Sequence, residues 1–106
     1  LKSTALDLVT KIDIQTRLAW LHKKERDWEK AIHFWQDNGN SGDIDACIEM
    51  AKYFEHEIRD VKNALEWTLK AEKNLEKSSL LGYKKKTIKS SLLVRRNRLE
   101  KRISHV

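Results

Sequence analysis

Residues 26–32 read Arg26-Asp27-Trp28-Glu29-Lys30-Ala31-Ile32, and residues 59–65 read Arg59-Asp60-Val61-Lys62-Asn63-Ala64-Leu65. The arginine, the aspartate, the alanine and the branched aliphatic residue recur at a constant offset of 33 residues. Upstream of these stretches, Leu18-Ala19 aligns with Met50-Ala51 at an offset of 32, so the second copy carries one additional residue within positions 55–58. A period in the low thirties with a pair of helical patterns per unit is typical of a helical solenoid. An ordinary helical bundle with chance similarity is the alternative.

This pattern predicts an all-α fold of antiparallel helix pairs. We expect helices at about 13–25, 27–38, 43–57 and 60–77, with Asp27 and Asp60 capping the second helix of each pair. The small Ala31 and Ala64 are expected to be buried where helices cross. One pair cannot bury its apolar faces alone, so the two pairs must stack on each other.

The chain, which at 106 residues is long enough for a single domain, divides into four segments at the start of the first repeat and at two turn clusters. We expect an N-terminal helix at 1–11, one repeat unit at 12–41, a second at 42–79, and a basic capping helix within 80–106. The breaks are the Gly- and Ser-containing clusters at 38–42 and 78–82. Ile88, Leu92 and Leu99 recur at helical spacing in the last segment, which is expected to cover the open end of the second unit.

The two copies resemble the tetratricopeptide repeat. The likeness lies in residues 27–32 and 60–65, with bulky residues after each and Ala71 closing the second copy. The turn glycine is replaced by Arg26 and Arg59, and the small residue after the first copy by Asn38.

The resemblance implies a tetratricopeptide-like antiparallel helix-pair solenoid of two units, in which the first helix of each unit lines a groove that binds a protein or peptide. Projected onto this sequence, the groove residues are Asp13, Thr16, Trp20, Lys23, Lys24, Asp45, Ile48, Lys52, Glu55 and His56. Trp20 fits two roles equally well, an aromatic anchor for a partner or packing against the N-terminal helix.

A narrower resemblance covers residues 50–60 and 64–68, Met-Ala-Lys-Tyr-Phe-Glu-His-Glu-Ile-Arg-Asp and Ala-Leu-Glu-Trp-Thr. These stretches look like the C-terminal repeat tail of bacterial YprB-like proteins, in which a ribonuclease H-like exonuclease domain precedes the tail. The resemblance implies that this chain is such an accessory tail. An upstream domain of the same polypeptide is then a candidate partner.

Catalytic and metal-binding patterns are missing from the sequence. It has no Gly-rich phosphate loop and no zinc-like spacing of Cys and His, so we expect a non-catalytic module without a cofactor or metal. Asp43, Asp45 and Glu49 lie near one another, but acids in a first helical turn are explained by the helix dipole. His56, between two glutamates, has no second ligand at metal spacing and is expected to face solvent or the groove.

The basic character of the chain is confined to its last segment. Residues 1–77 carry a net charge of −2 and residues 78–106 one of +8, which together give the net +6 of the whole chain. The cations of this stripe are Lys84, Lys85, Lys86, Lys89, Arg95, Arg96, Arg98, Lys101 and Arg102. Such a stripe can neutralise phosphates, which predicts weak, sequence-independent nucleic-acid binding as an alternative function. The other interpretation is a solvated outer face of a capping helix. Replacing Arg95, Arg96 and Arg98 with Gln is expected to leave the fold intact, because these positions flank the apolar stripe of Leu92 and Leu99 without forming it.

The sequence also indicates a compartment. No apolar run approaches the length of a membrane span, so no membrane partner is expected. The single Cys47 cannot form an internal disulfide and is expected to pack as a small apolar residue, which fits a reducing, cytoplasmic environment.

Overall fold

The structure is a computed structural model that describes the backbone of residues 5–104 and the side chains of residues 7–104. Within this range the chain is helical and contains no strand, which confirms the predicted all-α class. The helices are α1 (Ala5–Lys24), α2 (Trp28–Asn40), α3 (Ile44–Tyr53), α4 (Val61–Lys77) and α5 (Gly82–Ser104). A short π-helix, Phe54–Ile58, continues α3.

Each helix packs mainly against its neighbours in the sequence, α1 with α2, α2 with α3, α3 with α4, and α4 with α5. The connections are short and the neighbours run antiparallel. The buried Asn38, near the end of α2, donates to the carbonyl oxygen of Ile12 in α1 over 3.1 Å. Likewise, Asn74 late in α4 donates to the sulfur of Cys47 early in α3 over 3.3 Å. This packing gives an elongated molecule of 50 × 36 × 22 Å.

The repeated residues occupy the same local structure in both copies. Arg26 and Arg59 each adopt a left-handed backbone with φ of 61° at the turn before the second helix of a pair. The carboxylates of Asp27 and Asp60 then accept a hydrogen bond from the backbone N–H three residues further on, at 3.3 and 3.1 Å, which confirms both predicted caps. The predicted burial of the two alanines is also confirmed, because Ala31 and Ala64 are inaccessible to solvent.

The core consists of two clusters that meet at the half-buried Trp67. The first joins α1, α2 and α3 through Ala19, Ala31, Trp35, Ala46 and Met50. The second joins α3, α4 and α5 through Ile44, Cys47, Ala71, Leu75 and Leu92. Cys47 is fully buried, as predicted for a small apolar residue, and this burial raises the pKa of its thiol to about 11. Leu99 of α5 is also fully buried, so the capping helix contributes two leucines to the interior.

The prediction of a separate N-terminal helix at 1–11 is wrong for residues 5–11. Residues 1–4 lie outside the range that the structure describes. α1 runs without a break from Ala5 to Lys24 because nothing between these residues acts as a helix stop, neither Gly nor Pro. Ile14, Leu18 and Leu21 lie at helical spacing along one side of α1. They form a stripe on α1 that is 36–52% exposed.

The π-helix coincides with the additional residue of the second copy. The sequence alignment locates that residue within positions 55–58, and the π-helix spans Phe54–Ile58. A π-turn holds one more residue than an α-turn, so it absorbs the insertion without ending α3 early. It closes where the N–H of Asp60 donates to the carbonyl oxygen of Phe54 over 2.7 Å. The turn to α4 therefore keeps the geometry of the first copy.

Candidate binding surfaces

Two adjoining cavities form a groove along α1 and α3. The larger has a volume of about 370 Å³ and lies between Thr16 and Trp20 of α1, Trp35 of α2, and the N-terminal half of α3. The smaller, about 160 Å³, lies beside Lys23, Trp28 and Tyr53. Both are lined by Glu49 and Lys52, so they are continuous, and we call them together the groove.

Most of the residues that the sequence assigned to a groove line this one. They are Thr16, Trp20, Lys23, Asp45, Ile48, Lys52 and His56. Asp13 and Lys24 are exposed on α1 outside the two cavities, and Asp13 pairs with Arg17 over 3.2 Å. Glu55 is a correction, because its side chain is only 4% exposed and points toward α5. The π-turn changes the direction of residue 55, which an assumption of regular α-helix cannot anticipate.

Glu49 is the electrostatic centre of the groove. Its side chain is 10% exposed and accepts hydrogen bonds from Lys23 over 3.1 Å and Lys52 over 3.2 Å. Sequence reasoning considered Glu49 only as a possible metal ligand and missed this role. The signal was present, since Glu49 and Lys52 are three residues apart on one helix face.

Trp20 forms an aromatic wall of the groove. Its ring meets Trp35 edge to face at 6.0 Å between centroids, and the Nζ of Lys23 lies 4.5 Å from its centroid. The residue remains 47% exposed. Because Trp20 belongs to the same continuous helix as the N-terminal segment, packing against a separate N-terminal helix does not explain its position. It contacts α2 and Lys23, while about half of the residue remains accessible.

The acids at the start of α3 act as helix-capping groups. Asp43 is the N-cap and accepts from the N–H of Ala46 over 3.3 Å. Burial raises the pKa of Asp43, and the nearby charge of Asp45 adds to that increase. Among the described residues, no group of three or more His, Cys, Asp or Glu side chains is arranged to hold a metal ion.

Part of the basic stripe converges on one carboxylate. Both oxygens of Glu55 accept hydrogen bonds from Nη2 of Arg98, at 2.7 and 2.8 Å. Arg95 donates to Oε1 over 3.0 Å, and Arg102 donates to Oε2 over 3.3 Å. We call Arg95, Arg98 and Arg102 the arginine cluster. Arg95 and Arg98 neutralise a buried carboxylate, which the expectation that Gln at positions 95, 96 and 98 leaves the fold intact did not take into account.

The remaining cations of α5 fall into two groups. Nε of Arg96 lies 2.9 Å from a carboxylate oxygen of Glu72, in an ion pair whose geometry is not that of a hydrogen bond. Nη1 of Arg96 lies 3.3 Å from a carboxylate oxygen of Glu100. Lys89 lies 3.7 Å from Glu76. In contrast, four lysines form no ion pair with any residue from 7 to 104, namely Lys84, Lys85, Lys86 and Lys101. About half of the cations in the predicted stripe therefore already form ion pairs with acids of the same chain.

No protein-family model, curated protein or solved structure matches this chain. The resemblances to the tetratricopeptide repeat and to the YprB-like tail therefore rest on the residues quoted above. None of the described helices has the length and hydropathy required to cross a membrane.

Proposed function

We propose that this chain is a non-catalytic interaction module built from two tetratricopeptide-like units, α1–α2 and α3–α4, with α5 as the cap. The repeat interpretation is supported by residues that recur in sequence and also in conformation. Arg26 and Arg59 share a left-handed turn, while Asp27 and Asp60 share a capping bond. A chance likeness between two helical hairpins would not require the same φ and the same cap at equivalent positions.

The groove is the observation that carries the interaction function. It combines an accessible tryptophan, a residue type enriched in binding hot spots, with a hydrogen-bonded charge network. Trp20 offers ring surface, and the Lys23–Glu49–Lys52 network fixes charged groups without filling the cavity. A protein or peptide segment that inserts an apolar side chain against Trp20 would bury the ring on both sides.

The biological setting that we propose is the accessory C-terminal repeat domain of a bacterial, cytoplasmic ribonuclease H-like exonuclease. It is supported by the likeness of residues 50–60 and 64–68 to the YprB-like tail. In this setting the groove receives either a segment of the upstream domain or a peptide of another protein.

The structure favours protein binding over the nucleic-acid alternative. Arg95, Arg96, Arg98 and Arg102 already pair with carboxylates, which offset part of the positive charge that the stripe would offer to a nucleic-acid backbone.

The groove can be tested by selecting peptides from a random display library on the wild-type chain, with counter-selection on Trp20→Ala. Peptides that survive are then synthesised, and their Kd is measured by fluorescence anisotropy. We expect Trp20→Ala to weaken binding by at least about tenfold, because hot-spot truncations cost about 2 kcal/mol or more.

Val94→Ala is the matched control. Val94 is an apolar residue of α5, 65% exposed and outside the groove, so its truncation should leave Kd within about twofold. The proposal fails if the library yields no peptide that distinguishes wild type from Trp20→Ala, or if selected peptides cross-link to residues outside the groove.

A further inference from the structure

The arginine cluster carries more positive charge than its carboxylate neutralises. Three guanidinium groups bind the single charge of Glu55. Arg59 adds a fourth guanidinium beside them, in a small cavity of about 240 Å³ that is also lined by Glu55, His56 and Arg102. These four arginines and Glu55 together carry a formal charge of +3. Among the described residues, Glu55 is the one acid that lines this cavity.

The hydrogen-bond donors of the arginines also outnumber the acceptor positions of Glu55. A carboxylate offers about four lone-pair positions, and Glu55 already accepts four hydrogen bonds from the arginine cluster. The guanidinium groups keep unused N–H donors, because Arg95 and Arg102 each use one nitrogen and Arg98 uses Nη2 alone. Glu55 therefore fixes the arginines in place while it leaves donors available to a second acceptor.

Access to these donors is open. The side chains of Arg98 and Arg102 are 46% and 47% exposed, whereas that of Arg95 is 18% exposed. Arg59 follows the π-helix at the left-handed turn and forms no ion pair with residues 7–104. A ligand can thus reach Arg59, Arg98 and Arg102 from solvent without displacing Arg95 from Glu55.

We propose that Arg59, Arg98, Arg102 and His56 form a binding site for a single phosphate monoester group, with Glu55 as the residue that positions the arginines. Planar guanidinium groups match the oxygens of a phosphate in bidentate geometry, and a doubly charged anion gains most from a local surplus of positive charge. The site differs from the nucleic-acid stripe inferred from sequence, since it centres on one small cavity, beside which Arg98 binds Glu55, and since it includes Arg59. It shares His56 with the groove but does not rest on the proposed function.

Isothermal titration calorimetry with inorganic phosphate and, in a second arm, O-phospho-L-serine tests the proposal at constant ionic strength held with chloride. We expect saturable one-to-one binding, and amide shifts in NMR spectra confined to residues 55–59 and 95–102. Tighter binding of phosphoserine identifies a phosphorylated side chain as the source of the group, whereas tighter binding of phosphate identifies the free anion.

The double variant Arg59→Gln/Arg102→Gln should weaken binding by at least about tenfold, because it removes two guanidinium groups that donate charge-assisted hydrogen bonds to the phosphate. Lys84→Gln/Lys101→Gln removes the same charge from α5 outside the cavity and should change Kd by less than about twofold. The first variant keeps Arg95 and Arg98 on Glu55, so its circular dichroism should match wild type. Absence of saturable binding, or equal weakening in both variants, overturns the proposal.

Discussion

Glu55 shows how strongly one residue can depend on a distant helix. Its carboxylate is 4% exposed and is neutralised by arginines 40 to 47 residues further along the chain. We expect Glu55→Gln, which keeps the shape and removes the charge, to lower the free energy of unfolding by about 1–3 kcal/mol. The loss stays below that of a fully buried ion pair because Arg98 and Arg102 are half exposed.

Urea denaturation followed by circular dichroism measures this effect. Glu57→Gln is the control, since Glu57 is exposed on the same π-helix and does not contact the arginine cluster. Equal stability of the two variants would mean that the arginines are held by packing rather than by the charge of Glu55.

The two alanines of the repeats occupy positions with no space to spare. Ala31 and Ala64 are fully buried at helix crossings. Ala31→Leu and Ala64→Leu should each overpack the contact and cost about 1–3 kcal/mol of unfolding free energy. Thermal denaturation measures the loss, with Glu66→Leu on the exposed face of α4 as the control. Unchanged melting temperatures in both alanine variants would contradict the assigned crossings.

Cys47 is predicted to be chemically inert in the folded protein. Its pKa is raised to about 11 by burial, so its thiolate fraction at pH 8 is lower by about two orders of magnitude than that of a thiol with the ordinary pKa. Reaction with a disulfide reagent at pH 8 should therefore be slow in buffer and fast in urea, and its rate in buffer should rise with pH. A native rate equal to the urea rate would place the thiol at the surface.

At the scale of the helical elements, the turns carry backbone strain that a single substitution can relieve. Arg26 has a φ of 61°, which costs an L-residue about 1–2 kcal/mol, whereas glycine adopts it freely at an entropic cost of about 0.5–1 kcal/mol. Arg26→Gly should thus stabilise the protein by about 0.5–1 kcal/mol. The urea midpoint measures the gain.

Arg17→Gly is the opposite control, because it places glycine inside α1 and should cost about 1 kcal/mol. A loss of stability in Arg26→Gly would show that the side chain of Arg26 contributes more than its backbone conformation costs.

The helices themselves were largely predictable, because their signals are local. The caps at Asp27 and Asp60 and the turn cluster at 38–42 fixed the starts and ends to within a few residues. The direction of Glu55 was not predictable, because each residue advances a helix by about 100° and the π-turn adds a residue without a sequence signature of its own. The repeat offset revealed the inserted residue, but only the three-dimensional structure shows which side chain the insertion turns toward α5.

At the scale of the whole molecule, the paired arginines limit what the basic helix can offer to nucleic acid. With only Lys84, Lys85, Lys86 and Lys101 unpaired among the described cations of α5, binding to a labelled oligonucleotide should be weak and sequence-independent. The slope of log K against log salt should be no steeper than about −4. The variant Lys84→Gln/Lys85→Gln/Lys86→Gln should make it shallower by about one unit per lysine. Anisotropy between about 50 and 200 mM salt measures the slope. A slope near −8 would mean that the arginines of α5 contact phosphates as well.

The groove was predictable in outline and not in its electrostatics. Helical spacing placed Trp20 and Lys52 on the correct faces, because the first helix of each pair is regular there. The bond from Lys23 to Glu49 joins residues 26 positions apart and depends on how α1 and α3 approach, which no local pattern encodes.

The contact between Glu55 and the arginine cluster also sets the order in which the helices can complete their packing during synthesis of the chain. Helices α1 to α4 are joined by short connections, so each can dock on its predecessor soon after it leaves the ribosome. Glu55 must wait until residues 95–102 have been synthesised. A nascent chain that ends before α5 therefore carries an unneutralised acid at the π-turn, and synthesis of the last helix makes burial of that acid favourable.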